Sequence, residues 1–253
     1  MALLIRGRRK SETRREDDAR MSVIEHLEDL RRALIISLIG WAVMTVIAYV
    51  FHNQILNLVI ARTGVHSIVG NAPLVVNTPT GAFMVGLKIA LVVGLVASAP
   101  IIIWQIWWFV SPGLHQHEKR LVMPLVAATS FFFLLGAAFA FFALPLIMRV
   151  LLGFGAGEIT YLPFADELLS FVALITISFG LVFELPVVLY VLGVLRIISS
   201  RWLYRHRAYW LIGLGLLANL MTPGGDPLTP LIVFVPMYLF WEATALLLRI
   251  TGK

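Results

Sequence analysis

Six apolar runs leave this chain few ways to fold. They are Ala33–Phe51, Gly81–Val110, Leu121–Met148, Leu168–Leu195, Ala208–Met221 and Leu228–Leu248. The hydrocarbon core of a bilayer is about 30 Å thick, and a helix needs roughly 20 apolar residues to cross it. Lipid offers no partner to backbone N–H and C=O groups, so such runs satisfy themselves as helices. With 60% hydrophobic and 13% charged residues, the composition lies far from that of soluble domains. The expected fold class is an all-α integral membrane protein with six transmembrane helices.

Charge sets the orientation. Nine Lys and Arg residues precede Ala33, Lys119 and Arg120 follow the second run, and Arg196, Arg201, Arg205 and Arg207 follow the fourth. Arg249 and Lys253 close the chain on the same side, whereas Arg62 and Arg149 lie opposite and Lys88 sits inside a run. Basic loops stay cytoplasmic, which predicts an N-in, C-in topology. Topology also accounts for the net charge of +6, so nucleic acid is not an expected partner. Trp104, Trp107, Trp108 and Phe109, then Trp202, Tyr204, Tyr209 and Trp210, occupy interfacial belt positions.

The domain reading follows. Residues 1–20 mix basic and acidic side chains with few apolar ones and are expected to be a disordered cytoplasmic tail. Their polarity and the 19-residue run that follows do not fit a secretory signal. Residues 21–32 form an amphipathic cytoplasmic helix, residues 33–248 the membrane domain and residues 249–253 a short cytoplasmic tail. The fifth run, Ala208–Met221, reaches only about 21 Å, short of the bilayer core. Pro100, Pro186 and Pro236 each remove a helix hydrogen bond, so kinked helices that build a concave wall are expected.

Glu184 is the one charge between Leu168 and Leu195. A carboxylate in hydrocarbon costs a few kcal/mol, about 3 on insertion scales, and marks function by default. Two residues later Pro186 deprives the Val182 carbonyl of its partner, making a polar notch that calls for a helix, a water file or a ligand. Enzyme chemistry is not indicated. There is no G-x-x-x-x-G-K-[ST] phosphate loop, no H-E-x-x-H and no cysteine. No cofactor and no metal are expected.

Two acidic sites stand out on the basic face. Ser22 followed by Glu25 reads as a capping box, and Val23, Leu27 and Leu30 form an apolar stripe beside Glu28 and Asp29. The second site is the loop Ser111–Arg120, where Glu118 adjoins Lys119 and Arg120. These acids either pair locally with Arg32 and Lys119, or they bind an incoming cation. Arginine is the natural guest because its fork meets a carboxylate bidentately.

Five segments now combine: EHLEDLRRAL at 25–34, SAPIIIWQIWWFVSPGLHQHEKRLVMPL at 98–125, SFGLVFELPVVL at 178–189, LMTPGGDPLTP at 220–230 and IVFVPMYLFWE at 232–242. In order and spacing the chain from about Met21 onward resembles the TatC family, the multispanning subunit of twin-arginine protein translocases. The resemblance implies a curved, glove-like six-helix bundle in the bacterial cytoplasmic membrane. It implies recognition of the paired arginines of signal peptides on folded precursors. TatA- and TatB-type single-span subunits and other TatC copies are the implied partners, and the proton-motive force is the implied drive. The implied signal-peptide site takes in Glu28, Asp29, Arg31, Phe109, Pro112 and Glu118, with Lys119 and Arg120 beside it. Asp29 stands where the family usually has glutamate. Glu184 and Pro186 match the intramembrane pair, and Met221, Thr222, Pro223 and Asp226 match the turn after the short fifth span, where partner helices dock. A proline usual near Ala61–Arg62 is missing, and the turn GGDPLTP is remodelled. The rival is a proton-coupled small-solute transporter with Glu184 as carrier. Such a protein would normally carry internal repeats, and none relates residues 21–148 to 149–248.

Overall fold

The structure, a computed structural model, describes residues 2–64, 74–111, 122–153, 164–222 and 228–252, with side chains described from Ile24 onward and, in the last segment, from Thr229. The helices are α1 (Ala2–Val50), α2 (His52–Thr63), α3 (Gly81–Val110), α4 (Val122–Gly153), α5 (Ala165–Val182), α6 (Leu185–Val194), α7 (Ser200–Arg205), α8 (Arg207–Met221) and α9 (Leu228–Ile250). Among the described residues there is no strand, only an isolated parallel bridge between Val75 and Phe164. That bridge, with the Ala165 N–H donating to the Val75 carbonyl at 2.9 Å, lays two connecting segments side by side.

Five helical stretches are long and apolar enough to cross a membrane: Ile24–Val50, Gly81–Val110, Val122–Gly153, Ala165–Val194 and Thr229–Ile250. The sixth expected span is α8, an apolar helix of 15 residues, about 22 Å long. The chain is a membrane protein by this architecture, and its surface agrees. Leu38, Val46, Phe131, Phe142, Leu216 and Leu220 are each more than half exposed, as side chains facing lipid are.

Several boundaries differ from those the sequence suggests. α1 is one continuous helix, so 21–32 and 33–51 are not separate elements. No Gly or Pro lies between Met21 and Ile39 to break it, and its backbone is helical back to Ala2, over the segment whose composition predicts disorder. The connection after α1 contains a further helix, α2, closed by Gly64 in the left-handed region (φ 68°). Pro100, Pro145 and Pro236 lie inside continuous helices. At Pro186, by contrast, the helix breaks: α5 ends at Val182, Phe183–Glu184 form a turn, and α6 starts with Pro186 in its first turn.

The α5–α6 pair is the axis of the bundle. α5 packs on α3, α4, α8 and α9, whereas α1 packs on α3 alone among the substantial contacts. Leu144, Ile147, Ile175, Phe179, Met237 and Trp241 are fully buried where α4, α5 and α9 meet. Close approach depends on Gly136: a Cβ there would run into the Phe179 carbonyl. A single residue, His206, joins α7 to α8. Ser199 caps α7 by accepting from the Trp202 N–H at 3.2 Å.

Candidate functional site

The N-terminal acids and the end of α3 meet at one corner. His26 on α1 stacks on Phe109 near the end of α3, with ring centroids 4.3 Å apart and planes 18° from parallel. One turn and a half farther along α1, the Arg32 guanidinium lies 5.9 Å from the Trp108 ring centre. Helical spacing puts Asp29 between these two contacts. Asp29 is half-buried, while Glu28 and Arg31 are exposed. Arg32 therefore faces an indole rather than the acids beside it. Among the described residues Glu28, Asp29 and Arg31 have no ion-pair partner. The local neutralisation of these acids by Arg32 is not what the fold provides. Pro112, Glu118, Lys119 and Arg120 lie outside the described residues, although Phe109 and Ser111 bring the chain to their threshold. Ser111 ends α3 with its hydroxyl donating to the Trp108 carbonyl at 2.8 Å.

Glu184 sits in the turn between α5 and α6. Its N–H donates to the Leu181 carbonyl at 3.1 Å, and its carbonyl accepts from Val188 at 2.9 Å. Glu184 Oε1 is buried without a hydrogen-bond partner among the described residues. Its chain neighbour Phe183 packs edge-on to Phe240 at 4.7 Å and against Phe139 at 5.4 Å. Pro186, two residues on, lines a groove of about 670 Å³ with Trp107, Phe132, Tyr190, Phe240 and Thr244. The groove is apolar and lies between the ends of α3, α4, α6 and α9.

Lys88 does not meet Glu184. Its ammonium binds Asp166 Oδ1 at 2.5 Å and Ser170 Oγ at 2.9 Å. The sequence signal for this pair was an acid in the first turn of α5, favourable at a helix N-terminus in its own right. Glu242 is likewise engaged. The Arg207 guanidinium donates to the Tyr238 hydroxyl, Tyr238 donates to Glu242 at 3.3 Å, and Arg207 lies 3.8 Å from Glu242. This chain of polar contacts fastens α8 to α9. Burial first, then the Glu242 charge, pushes the nearby Tyr204 hydroxyl above its ordinary pKa.

The end of α8 is fastened to α5. Ser178, almost fully buried, donates to the Met221 carbonyl at 2.9 Å. Buried Thr222 turns its hydroxyl back to the Ala218 carbonyl at 3.1 Å. The helix thus stops at a fixed height on α5, where Met221 and Thr222 face the bundle. Pro223 and Asp226 lie outside the described residues.

With this geometry in place, comparison with known proteins is decisive. The family model for the Sec-independent protein translocase protein (TatC) matches residues 25–236. The chain belongs to the TatC family. A TatC protein of Carboxydothermus hydrogenoformans is 37% identical over 229 residues, covering 90% of this chain and 93% of that one. One from Aquifex aeolicus is 33% identical over 236 residues, covering 92% and 97%. Among solved structures, a crystal structure of the twin-arginine translocase receptor TatC superposes with a TM-score of 0.77. It is 32% identical and covers 90% of this chain and 100% of that chain. This TatC homologue is accordingly a protein translocase component with a transport role, and family membership sets aside the solute-transporter alternative. Its candidate sites are the acid-bearing corner of α1 and α3, the Glu184 turn and the end of α8.

Proposed function

We propose that the chain is the signal-receiving subunit of a twin-arginine translocase. It crosses the bacterial cytoplasmic membrane six times, with α8 as the short fifth crossing and both termini in the cytoplasm. Asp29, with Glu28 beside it, and Glu118 each take one arginine of the signal peptide. Arg31, Phe109, Pro112, Lys119 and Arg120 shape the pocket around them. Glu184, Pro186 and the end of α8 through Met221, Thr222, Pro223 and Asp226 dock single-span TatA- and TatB-type partners and further TatC copies. The proton-motive force drives transport.

One observation carries this proposal: the stack of His26 on Phe109 at 4.3 Å. It holds the acidic turn of α1 against the end of α3, from which the loop bearing Glu118 departs. The loop bearing Glu118 follows directly on α3 in the chain, which supports reading the two acidic segments as one site. Among the described residues Asp29 has no ion-pair partner, which suits a site for an incoming guanidinium. Charge-assisted pairs of this kind contribute about 1.5–3 kcal/mol when partly desolvated, and less when exposed.

The test uses the purified full chain and a labelled signal peptide carrying RR, beside its KK variant. A receptor binds RR and discriminates against KK, because lysine keeps the charge and loses the fork. Equal binding of both peptides points to a scaffold, and binding of neither removes the proposal.

A further inference from the structure

A second cavity lies on another part of the bundle, far in sequence from the acidic corner. It has a volume of about 400 Å³ and is enclosed by α2, α3, α4 and α5. Its wall on α3 extends from Lys88 to Val96 and on α5 from Leu169 to Thr176, about 12 Å and 10 Å along the helices. That depth covers most of one leaflet's share of a hydrocarbon core about 30 Å thick. The lining is apolar except for Lys88 and Thr176. Thr176 has no proton left for a guest, since its hydroxyl donates to the Val172 carbonyl at 2.7 Å. An occupant is therefore hydrocarbon in its body, and its polar contacts are confined to the mouth.

The mouth carries both signs of charge. Lys88 has three donors, of which Asp166 and Ser170 take two at 2.5 Å and 2.9 Å. One N–H remains for a further acceptor. Asp166 takes the Lys88 contact on Oδ1, leaving Oδ2 as an acceptor. Both side chains stay open, at 39% and 56% exposure. Glu167 beside them is also exposed. Arg62 stands 5.4 Å from the ring of Phe141, itself a wall of the cavity. Among the described residues Arg62 has no carboxylate partner.

We propose that this cavity is a specific lipid site. It takes an acyl chain of a phospholipid whose phosphate lies at Lys88 and Arg62 and whose primary ammonium donates to Asp166. The headgroup is of the phosphoethanolamine type. A quaternary ammonium has no N–H to give Asp166, and a headgroup with no ammonium leaves Asp166 and Glu167 facing a phosphate. The proposal rests on the membrane architecture, not on signal-peptide recognition.

The test is native mass spectrometry of the full chain in detergent. The protein competes for equimolar phosphatidylethanolamine, phosphatidylcholine and phosphatidylglycerol of identical acyl chains. The ethanolamine lipid should be retained over the choline lipid by about threefold or more, the size of one partly exposed charge-assisted contact. Asp166→Asn should abolish that preference and Asp166→Glu should keep it. Ala173→Trp should fill the cavity and remove the bound lipid altogether. Binding of the RR peptide to the same preparations separates this proposal from the one above, and retained binding shows that a variant is folded. Equal retention of the three lipids by the unaltered chain overturns the proposal. So does lipid retention unchanged by Ala173→Trp.

Discussion

The imidazole of His26 lies face to face with the ring of Phe109, 83 residues away in sequence and 4.3 Å away in space. This is where the N-terminal part of α1 is tied to the helix that precedes the Glu118 loop. Glu28 and Asp29 follow His26 within one helical turn, so the stack fixes the rotation of the whole acidic turn. Arg32 over Trp108, one turn and a half farther on, adds a second tie.

The tie has a measurable cost when cut. A ring pair of this geometry contributes about 0.5–1.5 kcal/mol beyond its buried area. His26→Ala or Phe109→Ala should therefore weaken binding of an RR signal peptide by about two- to tenfold, with the protein still inserted and monodisperse. His26→Phe, which keeps a flat ring, should restore most of the affinity. Fluorescence anisotropy with a labelled peptide reads this directly.

Glu184 has a different signature. A carboxylate oxygen buried without a hydrogen-bond partner among the described residues destabilises the resting bundle. Glu184→Gln should leave the thermal midpoint of the isolated protein unchanged or raised, while co-purification of single-span partner subunits falls. Full partner recruitment and full-rate export by that variant would remove the docking role.

Packing gives a sharper contrast between two glycines. A Cβ on Gly136 meets the Phe179 carbonyl, whereas one on Gly213 meets nothing within 4 Å. Overpacking of a tight core costs about 1–3 kcal/mol, so Gly136→Ala should lower the melting temperature in detergent by several degrees. Gly213→Ala should leave it nearly unchanged. A reversed order would mean that α4 and α5 do not approach as described.

The sequence made much of this legible, and the gaps have physical causes. Apolar run length located the long helices because lipid forbids unpaired backbone, and the second run, Gly81–Val110, has the same limits in sequence and structure. Pro186 was readable as a break because Glu184 beside it gives the freed backbone a polar setting. Pro100 and Pro236 present the same missing N–H within helices that stay continuous, so proline alone does not locate a break. The α1 boundary was misplaced because amphipathic and apolar patterns differ in environment, not in helical propensity. The partner of Lys88 was invisible since Asp166 lies 78 residues away on another helix, and sequence spacing says nothing about neighbours across helices. The same holds for His26 and Phe109: each looks ordinary until α1 and α3 pack.

The central claim is that carboxylates at positions 29 and 118 hold the two arginines of a signal peptide. A double-mutant cycle tests it most directly, pairing Asp29→Asn or Glu118→Gln with replacement of each arginine by lysine. Each acid substitution should reduce RR binding by about tenfold or more. It should also erase the penalty for lysine at one arginine and leave that at the other. Additive losses at every pairing, with no coupling between either acid and either arginine, would contradict the account.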